Sequence, residues 1–531
     1  VLAIAGIVVK VFGAAFRIIL ASFITDQGMA YYTPAYSIYA VLLVVSTSGI
    51  PIAISRMVSE RYAIGRYDEA ERVFHISRYL MISLGVAGFI TLFFFAQPIA
   101  DAMNLSGSAL AMKSIAPALL IVPIMSSYRG YFQGQQLMTP TAISQTVEQL
   151  FRVVVGLVLA LVLMRGTLFS DSFTDLQRGA AGGSFGATAG AVGGLGVIFF
   201  IYMLARKSIR RRVEHSRPGE KEPAGSILKT IVIIAVPITI GAMLMPLVNF
   251  VDASIVKTRL LYAGFDSDIS EALYGQLTGF CEPIIALPQV IMSAIEMSIV
   301  PMVAAANKLK DRFKLHETIS LGLRMATIIA FPCMIGLLIL AKPALTMIFF
   351  TQPESAANAA PCLQILSVSF LLAALITIMT GILQGIGKQV YPVVNLFIGL
   401  VFKVVVTWIL VGTPAVNVIG APLGTMAAYI IAVSLDYYCL KKYTQVTLDG
   451  KLLIVKPLIS AVAMGVIVAG VYYGLMALTG SNTLATLVAI LAGVASYGFM
   501  VIKTKTILRE EALELPMGGK LVSLGDKLNI W

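Results

Sequence analysis

Charged side chains inside long apolar runs are the residues of this sequence with the most chemistry to offer. Lys10 and Arg17 stand seven residues apart on one apolar stretch and so share a helix face, and Arg56 lies near the end of the next. These are cations, suited to holding phosphate or another anion. Further along, Asn249 and Asp252 are three apart, and Glu282, Gln289 and Glu296 recur every seven residues down one face of a single run. Such acidic and polar groups suit a cation or an amine. An ionisable group at mid-bilayer costs at least about 2.5 to 3.5 kcal/mol, so each must face protein or a wet cavity. The expectation is a cavity between two lobes with a basic wall and an acidic wall, Arg17 facing it. Simpler fates compete: Lys10 and Arg56 are long enough to snorkel to head groups, and Glu282 lies close to a membrane face. Glu148 and Arg152, four apart, are expected to pair with each other. Pro237 and Pro246 interrupt one acidic run and Pro283, Pro288 and Pro301 the other, either bending helices around a cavity or kinking them as membrane helices commonly do.

Nothing in the sequence points to catalysis. His75, His215 and His316 are far apart and show neither HExxH nor HxxxH spacing. Walker A and GxSxG motifs are lacking, and no loop is long enough to carry acid/base machinery outside the membrane. Cys281, Cys333, Cys362 and Cys439 form no CxxC pair, so no disulfide framework or zinc site is indicated. The chain is therefore not expected to be an enzyme.

The elements that must position these charges are membrane helices. Of 531 residues, 58% are hydrophobic and 12% charged, against roughly a quarter charged in soluble domains. About fourteen apolar runs, each long enough for some 30 Å of hydrocarbon, recur from Leu2 to Ile502. The expected class is an all-α polytopic membrane protein. The loop over 206–229 holds Arg206, Lys207, Arg210, Arg211, Arg212, Arg217, Lys221 and Lys229. Placing it in the cytoplasm puts about 26 of the 39 Lys and Arg on that side, with both termini. The net charge of +12 then reflects topology and contact with anionic lipids, with no nucleic acid required. The chain as given starts inside an apolar run, so a preceding stretch with the initiator Met is expected; Lys10 and Arg17 argue against a cleaved signal peptide. Residues 508–531 mix leucines with charges, as a helix lying on the inner membrane face would.

Sliding the chain by about 250 residues brings Phe132-Gln133-Gly134 onto Leu383-Gln384-Gly385, and Phe151-Arg152-Val153-Val154-Val155 onto Phe402-Lys403-Val404-Val405-Val406. Spans 1–6 and 7–12 thus read as two copies of a six-helix unit in one orientation, an arrangement common in transporters with two rocking lobes. The expected organisation is a first lobe over 1–228, a second over 229–445, and two extra spans with the tail over 446–531. Gly182, Gly186, Gly190 and Gly194 make one bare helix face for close packing.

Ser48-Gly49-Ile50-Pro51-Ile52-Ala53-Ile54-Ser55 with Val58-Ser59-Glu60, the Leu273-Tyr274-Gly275-Gln276-Leu277-Thr278-Gly279 segment leading to Val300-Pro301, and Leu383-Gln384-Gly385 carry a resemblance. The chain resembles, over essentially its whole length, the polysaccharide-exporter branch of the multidrug/oligosaccharidyl-lipid/polysaccharide flippase superfamily. Within it the likeness is to the group of stage V sporulation protein B and Gram-positive lipid II flippases. The resemblance implies a MATE-like fold in the bacterial cytoplasmic membrane and alternating access carrying an undecaprenyl-diphosphate-linked saccharide, with cell-wall synthesis enzymes as candidate partners. It maps the diphosphate-holding role onto Arg17 and Arg56, with Lys10 beside them. A sodium site known in some members maps onto Asp252 and Asn395, although Gly399 stands where a second acid is expected, so sodium or proton coupling stays open. Span 8 offers Glu282 where some lipid II flippases carry a basic residue. Export of another lipid-linked saccharide, or of cationic drugs, are the alternatives; the basic first copy argues against the latter.

Overall fold

The computed structural model describes residues 2–165, 173–219 and 221–506. The surface helix expected over 508–531 lies outside them. Every regular element among the described residues is helical. The chain runs through α1 (Leu2–Thr47), α2 (Gly49–Ala63), α3 (Tyr67–Phe94), the short α4 (Ala96–Ala102) and α5 (Ala109–Ile115), α6 (Ala118–Gly134), α7 (Thr139–Arg165) and α8 (Asp175–Glu214). It continues with α9 (Ala224–Tyr262) and α10 (Ser267–Gly275), then a π-helical turn (Gln276–Cys281) leading into α11 (Glu282–Lys308). Next come α12 (Arg312–Ile348), α13 (Pro353–Asn358), α14 (Ala360–Gly385), α15 (Val390–Val411), α16 (Gly420–Thr444), α17 (Lys456–Thr479) and α18 (Asn482–Lys503).

Thirteen of these stretches are long and apolar enough to cross a membrane. The first, Gly6–Ala63, has 58 residues, roughly 87 Å of helix and more than twice a hydrocarbon core. It is broken at Thr25 (φ 67, ψ 178), a left-handed φ that a β-branched residue avoids. Split there, it supplies two crossings, which makes fourteen. The break exposes backbone N–H groups, and the Asp26 carboxylate answers one by accepting from Gln27 N at 2.8 Å. The expected loop over 206–229 is largely helix, since α8 runs to Glu214 and α9 starts at Ala224.

Two compact units divide the chain: residues 1–279 with 411–415, and the remainder. This division differs from the one read off the repeat, because α9 and α10 pack in the first unit. Gly49 at the start of α2 shows how tightly α9 is held: a Cβ there would lie 2.1 Å from the Ala235 carbonyl oxygen. In the second unit, Met292, Ile299, Leu323, Phe370 and Ile378 form the core of α11, α12 and α14. The extra helices α17 and α18 pack on α12 through Leu340, Met464, Val468 and Ala489. Arg324 of α12 donates to the Thr506 carbonyl at 2.6 Å, just beyond α18.

Candidate functional site

The glycine stripe sets the geometry of the first unit. α8 opens with a capping box between Thr174 and Gln177. Along it, added Cβ atoms at Gly182, Gly186 and Gly190 would each fall 2.6 Å from the α7 backbone, at Leu159, Arg152 and Glu148 respectively. Only glycine permits this approach. The outer face of α7, Phe151, Val154, Val158 and Val162, is exposed and apolar, as a lipid-facing surface would be. Between the two faces Arg152 turns toward α1.

There the guanidinium carbon of Arg152 lies 4.9 Å from the Tyr36 ring centroid and 5.8 Å from that of Phe16, distances that support cation–π attraction. Its N–H groups donate to the hydroxyls of Tyr32 and Tyr36. The two tyrosine rings stack with centroids 6.1 Å apart and planes 9° from parallel. Arg17, half-buried on α1, is close enough for its charge to act on the Tyr36 hydroxyl. The expected Glu148–Arg152 pair does not form. Glu148 accepts instead from Arg129 of α6 at 2.8 Å, and Arg129 also donates to Ser144 at 2.8 Å. Arg152 is held away by the aromatic face that α1 presents.

The other cations expected to hold diphosphate occupy different settings. Lys10 is exposed. Arg56 is exposed and pairs with Glu60 one turn on, at 2.9 Å.

Both ends of this unit are held by ion pairs, one of which, Arg61 to Glu222, joins segments far apart in sequence. Where α2 turns into α3, buried Glu69 accepts from Arg61 at 3.3 Å and from Arg66 at 3.1 Å. The α8–α9 connection folds onto the same turn: Glu222 N donates to Glu69 at 2.7 Å, Arg61 also meets the Glu222 carboxylate, and Arg217 N donates to the Gly65 carbonyl at 3.0 Å. Gly65 adopts φ +78, the conformation that favours glycine. At the other end Lys257 donates to Glu271 at 2.6 Å, and Tyr31 donates to the second Glu271 oxygen at 2.7 Å. Beside it, Gln276 donates to Asp26 at 3.1 Å. Asn249 of α9 is exposed and Asp252 buried, so the two are not equivalent groups of one face.

In the second unit, Gln289 donates to Thr377 of α14 at 3.0 Å, and Glu296 packs against Gly381 of the same helix. Glu282, Gln289 and Glu296 are all half-buried. Asn395 is buried and donates to Asp436 of α16 at 2.8 Å. The acid beside Asn395 therefore comes from the next helix. Gly399 is a packing position, where a Cβ would lie 2.6 Å from the Ala428 carbonyl oxygen. Lys403, which the repeat aligns with Arg152, is 1% exposed. Among the described residues no group of three or more His, Cys, Asp or Glu is arranged to hold a metal. Arg129, Glu271 and Asp436 escaped the sequence reading, although each is an ionisable residue in or beside an apolar run, the signal that singled out Arg17.

Comparison with known proteins gives this geometry a family. The model of the polysaccharide biosynthesis protein family matches residues 1–307, and the MatE model matches 277–409. The lipid II flippase MurJ of Bacillus subtilis (strain 168) is 27% identical over 448 residues, 82% of this chain and 80% of its own length. Stage V sporulation protein B of the same organism is 23% identical over 530 residues, 98% of each chain. The solved structure of lipid II flippase MurJ in an inward closed conformation superposes with a TM-score of 0.65 at 14% identity, covering 94% of this chain and 97% of that one. The relative that matches both by sequence and by fold, MurJ, is a flippase rather than an enzyme. The chain belongs to the polysaccharide biosynthesis protein family, within the multidrug/oligosaccharidyl-lipid/polysaccharide flippase superfamily, as an all-α multi-pass membrane protein.

Proposed function

We propose that this protein is a flippase that moves an undecaprenyl-diphosphate-linked saccharide, the lipid II peptidoglycan precursor, across the bacterial cytoplasmic membrane by alternating access. The observation that carries this reading is the family match over 1–307, a stretch whose first two crossings bear Lys10, Arg17 and Arg56 on accessible or half-buried faces. A diphosphate entering hydrocarbon needs cations along its route, and guanidinium forks fit phosphate oxygens. Arg56 offers such a fork from an exposed pair, where a substrate phosphate can displace Glu60 at small cost. In this reading loop 215–223 and both termini face the cytoplasm, where lipid-linked precursors are made.

The test is genetic. Depleting the native lipid II flippase in a bacterium and expressing this chain should restore growth, and Arg17→Ala at equal abundance should not. Failure of the wild-type chain, with rescue of a strain lacking a different lipid-linked saccharide exporter, would transfer the reading to that saccharide. Cation-dependent drug efflux without either rescue would replace it with the drug-exporter reading.

A further inference from the structure

We propose that Arg152, together with the hydroxyls of Tyr32 and Tyr36, forms an anion-binding station inside the first unit, and that its ligand is the diphosphate of the transported lipid. The identity of the ligand rests on the function proposed above; the station rests on the side chains gathered around Arg152.

The first argument is an inventory of donors. A guanidinium has five N–H groups, and a phenol that accepts a hydrogen bond still has its own O–H to give. Arg152 donates to two phenol oxygens. The carboxylate one turn away, on Glu148, is taken by Arg129 at 2.8 Å. The Tyr36 hydroxyl feels the positive charges of Arg152 and Arg17 more strongly than the opposing charge of Glu148, so the cluster of donors carries a net positive field. Such a set is complementary to an oxyanion and to little else.

The second argument is position and rigidity. Arg152 is midway along the 27 residues of α7, so roughly 20 Å of helix separates it from either end. A resting lipid keeps its head group at the surface, whereas a transported one must carry its phosphates past the middle. A cation stranded at that depth is costly, and a passing anion compensates it. The glycine stripe fixes the α7 backbone at Arg152 itself, and the stacked tyrosines fix the partners, so little ordering is left for binding to impose. Arg152, Tyr36 and Arg17 are each half-buried, whereas Tyr32 and the aligned Lys403 are each 1% exposed.

The test is binding to the purified full chain in detergent, by thermophoresis, with undecaprenyl diphosphate, phosphatidylglycerol and inorganic diphosphate as separate probes. Arg152→Gln should weaken undecaprenyl diphosphate binding roughly ten- to a hundredfold and leave phosphatidylglycerol unchanged. Arg152→Lys, which keeps charge without the fork, should fall between. The Tyr32→Phe/Tyr36→Phe double variant keeps both rings and should lose about tenfold; it decides the matter if Arg152→Gln does not fold. Arg152-independent binding of undecaprenyl diphosphate overturns the station and leaves the flippase reading intact. Arg152-dependent binding of phosphatidylglycerol or inorganic diphosphate, with none of undecaprenyl diphosphate, keeps the station and overturns the diphosphate-lipid reading. Binding of none of the three probes by the wild-type chain overturns the station.

Discussion

The ends and the middle of the first unit treat charge in opposite ways. At the ends the cations are matched to carboxylates: Lys257 with Glu271, Arg61 with Glu69 and Glu222, and Arg66 with Glu69. In the middle, where Glu148 is paired with Arg129, the contacts of Arg152 are phenols and rings. Closed pairs make good braces because separating them strands a buried charge. A cation held by neutral groups is poorer bracing and better bait for an anion. The contrast assigns stability to the ends and ligand chemistry to the middle, and substitutions can break that assignment.

The largest loss of stability is expected at Lys257→Met. Buried Glu271 would keep its charge while losing its cation and retaining the Tyr31 hydrogen bond, a change worth about 3 to 5 kcal/mol. Thermal unfolding of the purified protein should show it as a large fall in melting temperature, and Lys257→Met/Glu271→Leu should recover much of the loss. A small effect for Lys257→Met would mean that this end is hydrated and is not a brace. Next comes Glu69→Gln, which weakens the bonds from Arg61, Arg66 and Glu222 N together. A loss of about 1 to 3 kcal/mol is expected, with faster proteolysis within 215–223, since that connection is held by the same carboxylate.

A double-mutant cycle probes the middle more finely. Glu148 and Arg129 should couple by about 1 kcal/mol, and Glu148 and Arg152 by close to zero. A larger Glu148–Arg152 coupling would show that Arg152 already has its countercharge, and the distinction between middle and ends would dissolve.

How far this arrangement was legible in the sequence follows from the reach of each signal. Hydropathy is local, so the apolar crossings could be read directly, and the spacing of Gly182, Gly186, Gly190 and Gly194 announced a close helix contact whose partner proved to be α7. Side-chain pairing is not local. The i,i+4 rule favoured Glu148 with Arg152, yet Arg129 from the preceding helix prevailed because α1 offers Arg152 an aromatic face that no spacing along α7 reveals. The same limit hid Asp436, which reaches Asn395 from the next helix, and the break at Thr25, where the local sequence is unremarkable and Asp26 gains meaning only through Gln276.

The smallest effect on stability is expected at Arg56, and it separates the two kinds of charge most cleanly. Its bond to Glu60 is a single-turn pair with both side chains more than half exposed, a kind worth about 0.3 to 0.5 kcal/mol. Arg56→Ala should therefore leave melting temperature and abundance almost unchanged. If the residue belongs with Arg17 and Arg152 on the route of an anion, the same substitution should still impair rescue of a flippase-depleted strain, and Glu60→Gln, which frees the guanidinium, should not. Normal rescue by Arg56→Ala would return the residue to the membrane surface as a snorkelling cation, leaving Arg17 and Arg152 to carry the charge of the substrate.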